Sequence, residues 1–179
     1  IEMKGAVEMA FAQINHRIGP YQIDLLWIDC QSDPVKAVLA YEEAIIQQGI
    51  QAGLLNWHTP VALACMKVAA RHKMPHFFSL AGASAINEVW HSDPKQYYYW
   101  VKGWPEPAKL TANYVQALED AIARGWWQPA AKTAAIWGED TEWGRSFAAG
   151  MKEQLEAARW EIVAEDYFPM DQTDFVPWF

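Results

Sequence analysis

Basic residues are scarce in this chain of 179 residues: 14 Lys and Arg stand against 22 Asp and Glu, a formal net charge of -8. Nucleic acid is gripped by a basic stripe, and the longest basic cluster here is Arg71-His72-Lys73, so nucleic acid is excluded as a partner. Long hydrophobic runs are lacking too. Apolar stretches are interrupted every few residues and fall short of the ~18 that suggest a membrane span. No basic segment followed by an apolar one opens the sequence as an export signal would. Cysteine is rare: Cys30 and Cys65 lie far apart without CxxC spacing, make no metal knuckle, and leave the redox compartment open.

Nucleotide and catalytic motifs are missing as well. Neither GxGxxG nor the P-loop pattern occurs, and Gly138 and Gly144 are split by acidic "EDTEW", which would repel phosphate. "AGASAI" resembles half of a nucleophile elbow around Ser84, but Ile86 stands where the closing glycine belongs. Ser92-Asp93-Pro94-Lys95 spells SxxK without its partner motifs and reads as a capped turn. Of the five histidines only His72 and His76 are four apart, and Pro75 breaks the helix that would align them. No cofactor and no metal are expected.

What is abundant is apolar and aromatic. The chain is 52% hydrophobic and 20% charged, the balance of a globular protein with a real core. Its 11 Trp and 7 Tyr call for large packed surfaces or a stacking site. Met3, Ala6, Val7, Ala10, Phe11 and Ile14 recur at helical spacing, so the sequence opens on a helix that Gly19-Pro20 stops. Tyr21 to Ile28 reads as a buried strand, and Ser32-Asp33-Pro34 caps a helix from about 34 to 48. A strand at 50–55 follows, then a helix at 59–72 with Thr59 as N-cap and Pro60 at its first position, then a strand at 74–79. After a loop, strands are predicted at 96–102, 132–137 and 160–168, with helices at 105–124 and 142–158. Such alternation means βαβ units and parallel sheet, an α/β fold.

A doubly wound domain usually begins with a strand, and "DQTDFVPWF" stops where a helix is due, so the sequence reads as a fragment of a longer chain. "KGWPEP" (102–107) is the candidate crossover between two lobes, with a boundary near 103. In open parallel sheets ligands gather at the carboxyl ends of strands, which singles out four loops: 29–33, 56–59, 80–85 and 138–143. Each precedes a helix N-terminus, whose free N–H groups favour a carboxylate or a carbonyl oxygen. Glu139-Asp140 gains weight from following a strand directly, whereas Glu42-Glu43 reads as a solvated helix face opposite Val38, Ile45 and Ile46.

The motifs "KGAVEMAFAQIN", "IDLLWIDCQSDPVKAVLAYEEAIIQQGIQA", "MPHFFSLAGAS", "KTAAIWGEDTEWGRSFAAGMKEQLEAARWEIV" and "QTDF", in this order, resemble the type I periplasmic binding proteins, in the branch for branched-chain amino acids and amides. The resemblance implies a two-lobed, hinge-closing fold, each lobe a parallel sheet flanked by helices. It makes 1–103 lobe one without its first strand, and 104–179 the first part of lobe two. It implies a receptor that hands a small solute to the membrane permease of an ABC transporter, in a periplasmic or extracellular setting, with no enzymatic activity. Trp57, His58 and Thr59 fall where the family binds a ligand carboxylate. Ala83 and Ser84 fall where a backbone carbonyl takes an amino group and a hydroxyl takes the carboxylate. Trp143 replaces the family's aromatic after the lobe-two strand, and the acidic residue that grips an ammonium lies beyond Phe179. The disulfide of some members is absent, since Ser32 and Asn56 occupy its positions.

Where the family has a small hydroxyl, Trp57 brings a flat face, so Trp57, Trp143 and Trp104 are expected to wall a cleft and stack a planar ligand or hold a cation. Amide or amino acid ranks first on family grounds, with an aromatic carboxylate open. Trp27, Trp90, Trp100, Trp126, Trp127 and Trp160 are expected in the core. Two alternatives stand beside transport: a sensor of the same fold, and a hydrolase using Ser84 with His58. Association with the remainder of its own chain or a second copy is also expected, because sheet edges are left unpaired.

Overall fold

The computed structural model describes residues 2–176. Helix α1 (Glu2–Gln13) leads into an antiparallel hairpin of β1 (Arg17–Ile18) and β2 (Tyr21–Gln22). The strand expected over 21–28 is thus confined to two residues, and 23–30 runs without regular structure. A strand forms only where its N–H and C=O groups meet a neighbour's. No strand among the described residues pairs with this segment beyond the Ile23 N–H that donates to His16 O at 2.7 Å, and Leu26, Trp27 and Ile28 are correspondingly exposed.

The first alternating block holds α2 (Pro34–Ile46), β3 (Gly53–Leu54), α3 (Thr59–His72), β4 (His76–Ser79), α4 (Ser84–Ser92) and β5 (Trp100–Lys102). β3, β4 and β5 form a parallel sheet in that order, with Gly53 beside His76 and Ser79 beside Lys102. Asp33 caps α2 as expected: its carboxylate accepts from the N–H groups of Val35 and Lys36 at 2.8 and 3.2 Å, with Pro34 in the first turn. α3 fills its predicted span, but its cap shifts by one. His58 is the N-cap residue, Thr59 already belongs to the helix, and no side chain closes the end.

α3 stops at Lys73 in the left-handed region (φ 51°), and His76 falls on β4, so His72 and His76 share no helical face. α4 lies where a loop was expected. A helix of nine residues with one fully buried side chain, Ile86, is too short to declare itself by periodicity. α2, α3 and the sheet enclose one core around Tyr41, Val61, Cys65, Met66, Val68 and Trp100. The Ile46 side chain, expected to face inward, is 69% exposed.

From β5 the chain passes through 103–106 to a second block: α5 (Pro107–Ala123), β6 (Thr133–Glu139), α6 (Glu142–Ala157) and β7 (Glu161–Phe168). β6 and β7 pair in parallel as a separate sheet, from Thr133 beside Glu161 to Glu139 beside Phe168. The core here is smaller: Val115, Ile136, Ala148, Leu155 and Trp160.

The tryptophans divide unevenly. Trp100 and Trp160 are buried and Trp90 is half-buried, as expected, while Trp27, Trp126 and Trp127 lie at the surface, Trp126 at 74% exposure. Lys4 sits over Trp27 and Arg124 over Trp126, and Trp127 stacks on Trp160. A cation or a second ring gives an indole a place outside the core. The end of the tail, residues 177–179, lies outside the described residues.

Candidate functional site

Parallel strands send their carboxyl ends to one rim, and the loops leaving the first sheet's rim are 55–58, 80–83 and 103–106. Backbone bonds stitch these segments together. Leu80 N–H donates to Asn56 O at 2.8 Å, and Gly103 N–H donates to Ser79 O at 2.9 Å. The loop between β6 and α6 brings Trp143, in the first turn of α6, to the same place.

Gly82 sits at the centre of the joint. A Cβ added there would run into the six-membered ring of Trp143 and come within 2.9 Å of Cδ1 of Trp104, so only glycine lets both indoles rest on this backbone. Trp104 tilts at 58° to Trp57, with ring centroids 5.9 Å apart. Trp143 packs on Phe147 at 5.2 Å, and Phe147 meets Tyr114 edge-on at 5.8 Å. Trp104 from the connecting segment and Trp143 from the second block therefore meet at a single glycine, and Trp57 from the first block packs against Trp104. Trp57 keeps 58% of its surface exposed.

The same loops hold polar atoms that the protein itself does not satisfy. Both ring nitrogens of His58, the Thr59 hydroxyl, Asn56 Oδ1 and the Ser79 hydroxyl are buried without a hydrogen-bond partner among the described residues. Thr59 and Ser79 are 1% and 0% exposed. A buried polar group left unpaired costs ~1–3 kcal/mol, so a cluster of them at one rim is unusual in a core. Hydroxyl and imidazole donors beside the uncapped N-terminus of α3 form a set that can accept a carboxylate. Below them, burial pushes the Cys65 thiol up to about 12, with Cys30 adding to the rise and the Asn56 side chain opposing it. That thiol is inert at neutral pH.

On the other side of the joint, Ala83 is the N-cap residue of α4 and fully buried, and Ser84 begins the helix half-buried. His58 has no partner at either nitrogen, so no hydrogen bond from Ser84 reaches it, and the nucleophile–base contact of a hydrolase is not formed. Glu139 and Asp140 are occupied locally. Thr141 donates to Glu139 Oε1 at 2.8 Å and accepts from Gly144 N–H at 3.1 Å, capping α6, while Asp140 pairs with Arg145 at 2.6 Å. No cluster of three metal-ligating side chains occurs among the described residues, and no helix there is long and apolar enough to cross a membrane.

Sequence reasoning missed three residues of the joint: Gly82, Asn87 and Lys102. Lys102 ends β5, and its ammonium donates to Asn87 Oδ1 at 2.8 Å and to Gly82 O at 3.1 Å, with Ala83 O at 3.5 Å. Asn87 in turn donates to the Glu106 carboxylate. Burial pulls the Lys102 ammonium below its ordinary range, and Glu106 opposes that shift. The available signal is position, a lysine that closes the strand and opens "KGWPEP".

Parallel sheets flanked by helices, in two blocks that meet at an aromatic joint, define the class: this is the architecture of a two-lobed type I binding protein. The sequence matches the periplasmic binding protein family over residues 1–178, and the chain belongs to that family. It is a family of binding proteins, which displaces the hydrolase alternative.

Solved structures agree on the fold. A solute-binding protein of an ABC transporter from Rhodopseudomonas palustris BisB5, in complex with 3,4-dihydroxybenzoic acid, is 22% identical with a TM-score of 0.78, over 98% of this chain and 44% of that one. A second R. palustris solute-binding protein, in complex with 4-hydroxybenzoate, is 23% identical with a TM-score of 0.75, over 93% and 42%. A branched-chain amino acid ABC transporter periplasmic ligand-binding protein from Burkholderia xenovorans LB400 is 21% identical with a TM-score of 0.67, over 97% and 43%. The chain thus spans less than half the length of these structures. No match was found among curated proteins.

Proposed function

We propose that this chain is the ligand-gripping part of a periplasmic solute receptor that serves an ABC transporter permease, and that it takes a planar aromatic carboxylate between its lobes. Residues 1–103 act as one lobe and 104–179 as part of the other, hinged near 103. The observation that carries the reading is the meeting of Trp104 and Trp143 on Gly82, with Trp57 packed against Trp104. Indoles from two lobes that close on one point stack a flat ring, at ~0.5–1.5 kcal/mol for each aromatic pair beyond area burial. The carboxylate of the ligand goes to His58, Thr59 and the N-terminus of α3, whose donors the protein leaves unpaired, and Ser84 at the start of α4 stands opposite. Ala83 contributes backbone rather than side chain.

Similar receptors described with hydroxybenzoates support an aromatic acid, and the B. xenovorans relative keeps a branched-chain amino acid as the competing ligand. The sensing alternative has no support of this kind, because these relatives are described as parts of ABC transporters. A thermal-shift series with 4-hydroxybenzoate, 3,4-dihydroxybenzoate, benzamide and leucine on the purified protein tests the reading. The hydroxybenzoates are expected to raise Tm, and Trp57→Ala to weaken their binding by about tenfold. A larger shift with leucine would replace the aromatic acid by an amino acid. Silence with every compound would remove the receptor reading.

A further inference from the structure

Lys102 closes β5 in register with Ser79 of β4, and its ammonium folds back onto the loop that supports the indoles. Gly82 is the residue on which Trp143 and Trp104 rest, and Gly82 O accepts from Lys102 Nζ at 3.1 Å. The positive charge therefore lies one peptide away from the aromatic surface. An ammonium has three donors, and here they are directed to Gly82 O, Asn87 Oδ1 and, at 3.5 Å, Ala83 O. Carbonyl oxygens are the neutral acceptors with which a protein rim can hold a cation, and these two are already held by the protein's own. Glu106, the nearby carboxylate, accepts from the Asn87 amide, so it is tied into the same network instead of standing open.

We propose that Lys102 sets the charge specificity of this joint, admitting carboxylates that lack an ammonium group and rejecting amino acids of the same shape. The inference rests on the reading of the joint as a ligand site. A ligand ammonium entering between the indoles meets two obstacles. The carbonyl oxygens that would replace its water already face the Lys102 ammonium, and a buried cation poorly supplied with acceptors is strongly disfavoured. It also comes close to the Lys102 charge in a partly desolvated place, where like charges repel more strongly than in water. Rejection of the wrong ligand by an unpaired charge yields as much selectivity as attraction of the right one. The tryptophans alone would give the opposite preference, since an indole face attracts a cation.

The test compares two probes that share ring and carboxylate and differ only in the α-ammonium: 4-hydroxyphenylacetate and 4-hydroxyphenylglycine. Titration calorimetry on the purified protein is expected to show the acid bound more tightly by about tenfold or more. In Lys102→Met the ratio of the two affinities should fall by about tenfold, and because both probes carry the carboxylate, the ratio isolates the ammonium. Lys102→Gln, which removes the charge but keeps a donor for Gly82 O, supplies the same measurement if the Met variant fails to fold, as judged by circular dichroism. An unchanged ratio in the folded variants, with the acid still bound, would overturn the role of Lys102 and leave the aromatic-acid reading standing. Equal or tighter binding of the amino acid by the unaltered protein overturns it as well. If neither probe binds, the ligand reading of the joint falls and this inference falls with it.

Discussion

The two blocks of this chain keep their polar groups in different places. In the first, three strands under α2 and α3 seal polar side chains inside: His76 is 3% exposed, stacks on Trp100 at 4.1 Å and lies 3.1 Å from the Tyr41 hydroxyl. Gly53 leaves the space for that contact, since a Cβ there would collide with both side chains. In the second, the buried polar side chain Thr111 donates only to its own helix, to Pro107 O at 2.9 Å, and charge is arranged along the surface as Lys132–Glu119, Arg145–Asp140 and Lys152–Glu165 pairs. Even its buried Trp160 turns its N–H outward to Glu119 at 2.7 Å. Two strands are marginal as a unit, and three with a covered face are not. The joint around Gly82 thus lies between a rigid partner and a more open one.

The contrast predicts its largest effect at Met66, which is fully buried at the centre of the first core. Met66→Ala should cost about 2–5 kcal/mol of stability, through lost transfer energy and the cavity left behind. Val163→Ala on β7, where the side chain is 59% exposed, should stay within about 0.5 kcal/mol. Urea unfolding followed by circular dichroism measures both. Equal losses would mean that the second sheet is as well sealed as the first, and the comparison would fail.

How far the sequence reveals this arrangement depends on what each feature requires. Helix α3 was legible to the residue because Thr59-Pro60 and the apolar periodicity are local. The cap assignment misses by one position: Thr59 has the side chain suited to a cap, but the backbone already places it in the helix and leaves His58 at the cap without a side-chain hydrogen bond. The 21–28 strand was misread because pairing depends on a neighbour that no local pattern contains. At the joint, Trp57, Trp104 and Trp143 stand out as bulky residues near strand ends, while the packing of Trp104 and Trp143 on Gly82, with Trp57 against Trp104, is visible only in three dimensions. Lys102 escaped notice because a lysine in sequence looks like surface, and nothing in "YYYWVKGW" says that its ammonium turns inward.

A middle-sized effect sharpens the contrast through pH. Burial pushes the His76 imidazole down to about 3, whereas the unfolded chain takes up that proton near the ordinary value of about 6.5. Between those values the unfolded state binds more protons, so stability is complete above pH 6.5 and is lost as pH falls toward 3. The loss approaches about 1.4 kcal/mol for each pH unit once the unfolded histidine is titrated. Melting curves from pH 7.5 to 5 should show this decline, and His76→Phe, which cannot take the proton, should flatten it. A slope that persists in His76→Phe would assign the acid sensitivity to carboxylates of the second block instead.

The smallest effect belongs to the Lys152–Glu165 pair, 2.8 Å apart on the open face of the second block. Each partner favours the charged form of the other, Glu165 raising the lysine and Lys152 lowering the carboxyl, yet both remain in water. Exposed pairs lose most of their attraction to solvent and to the cost of ordering two long side chains, and added salt screens what is left. Lys152→Ala should therefore leave Tm unresolved from the unaltered protein, and salt should erase any difference that appears at low ionic strength. A loss rivalling that of Met66→Ala would mean that surface charge, not its thin core, holds the second block together. The contrast between the blocks would then survive in geometry but reverse in energy.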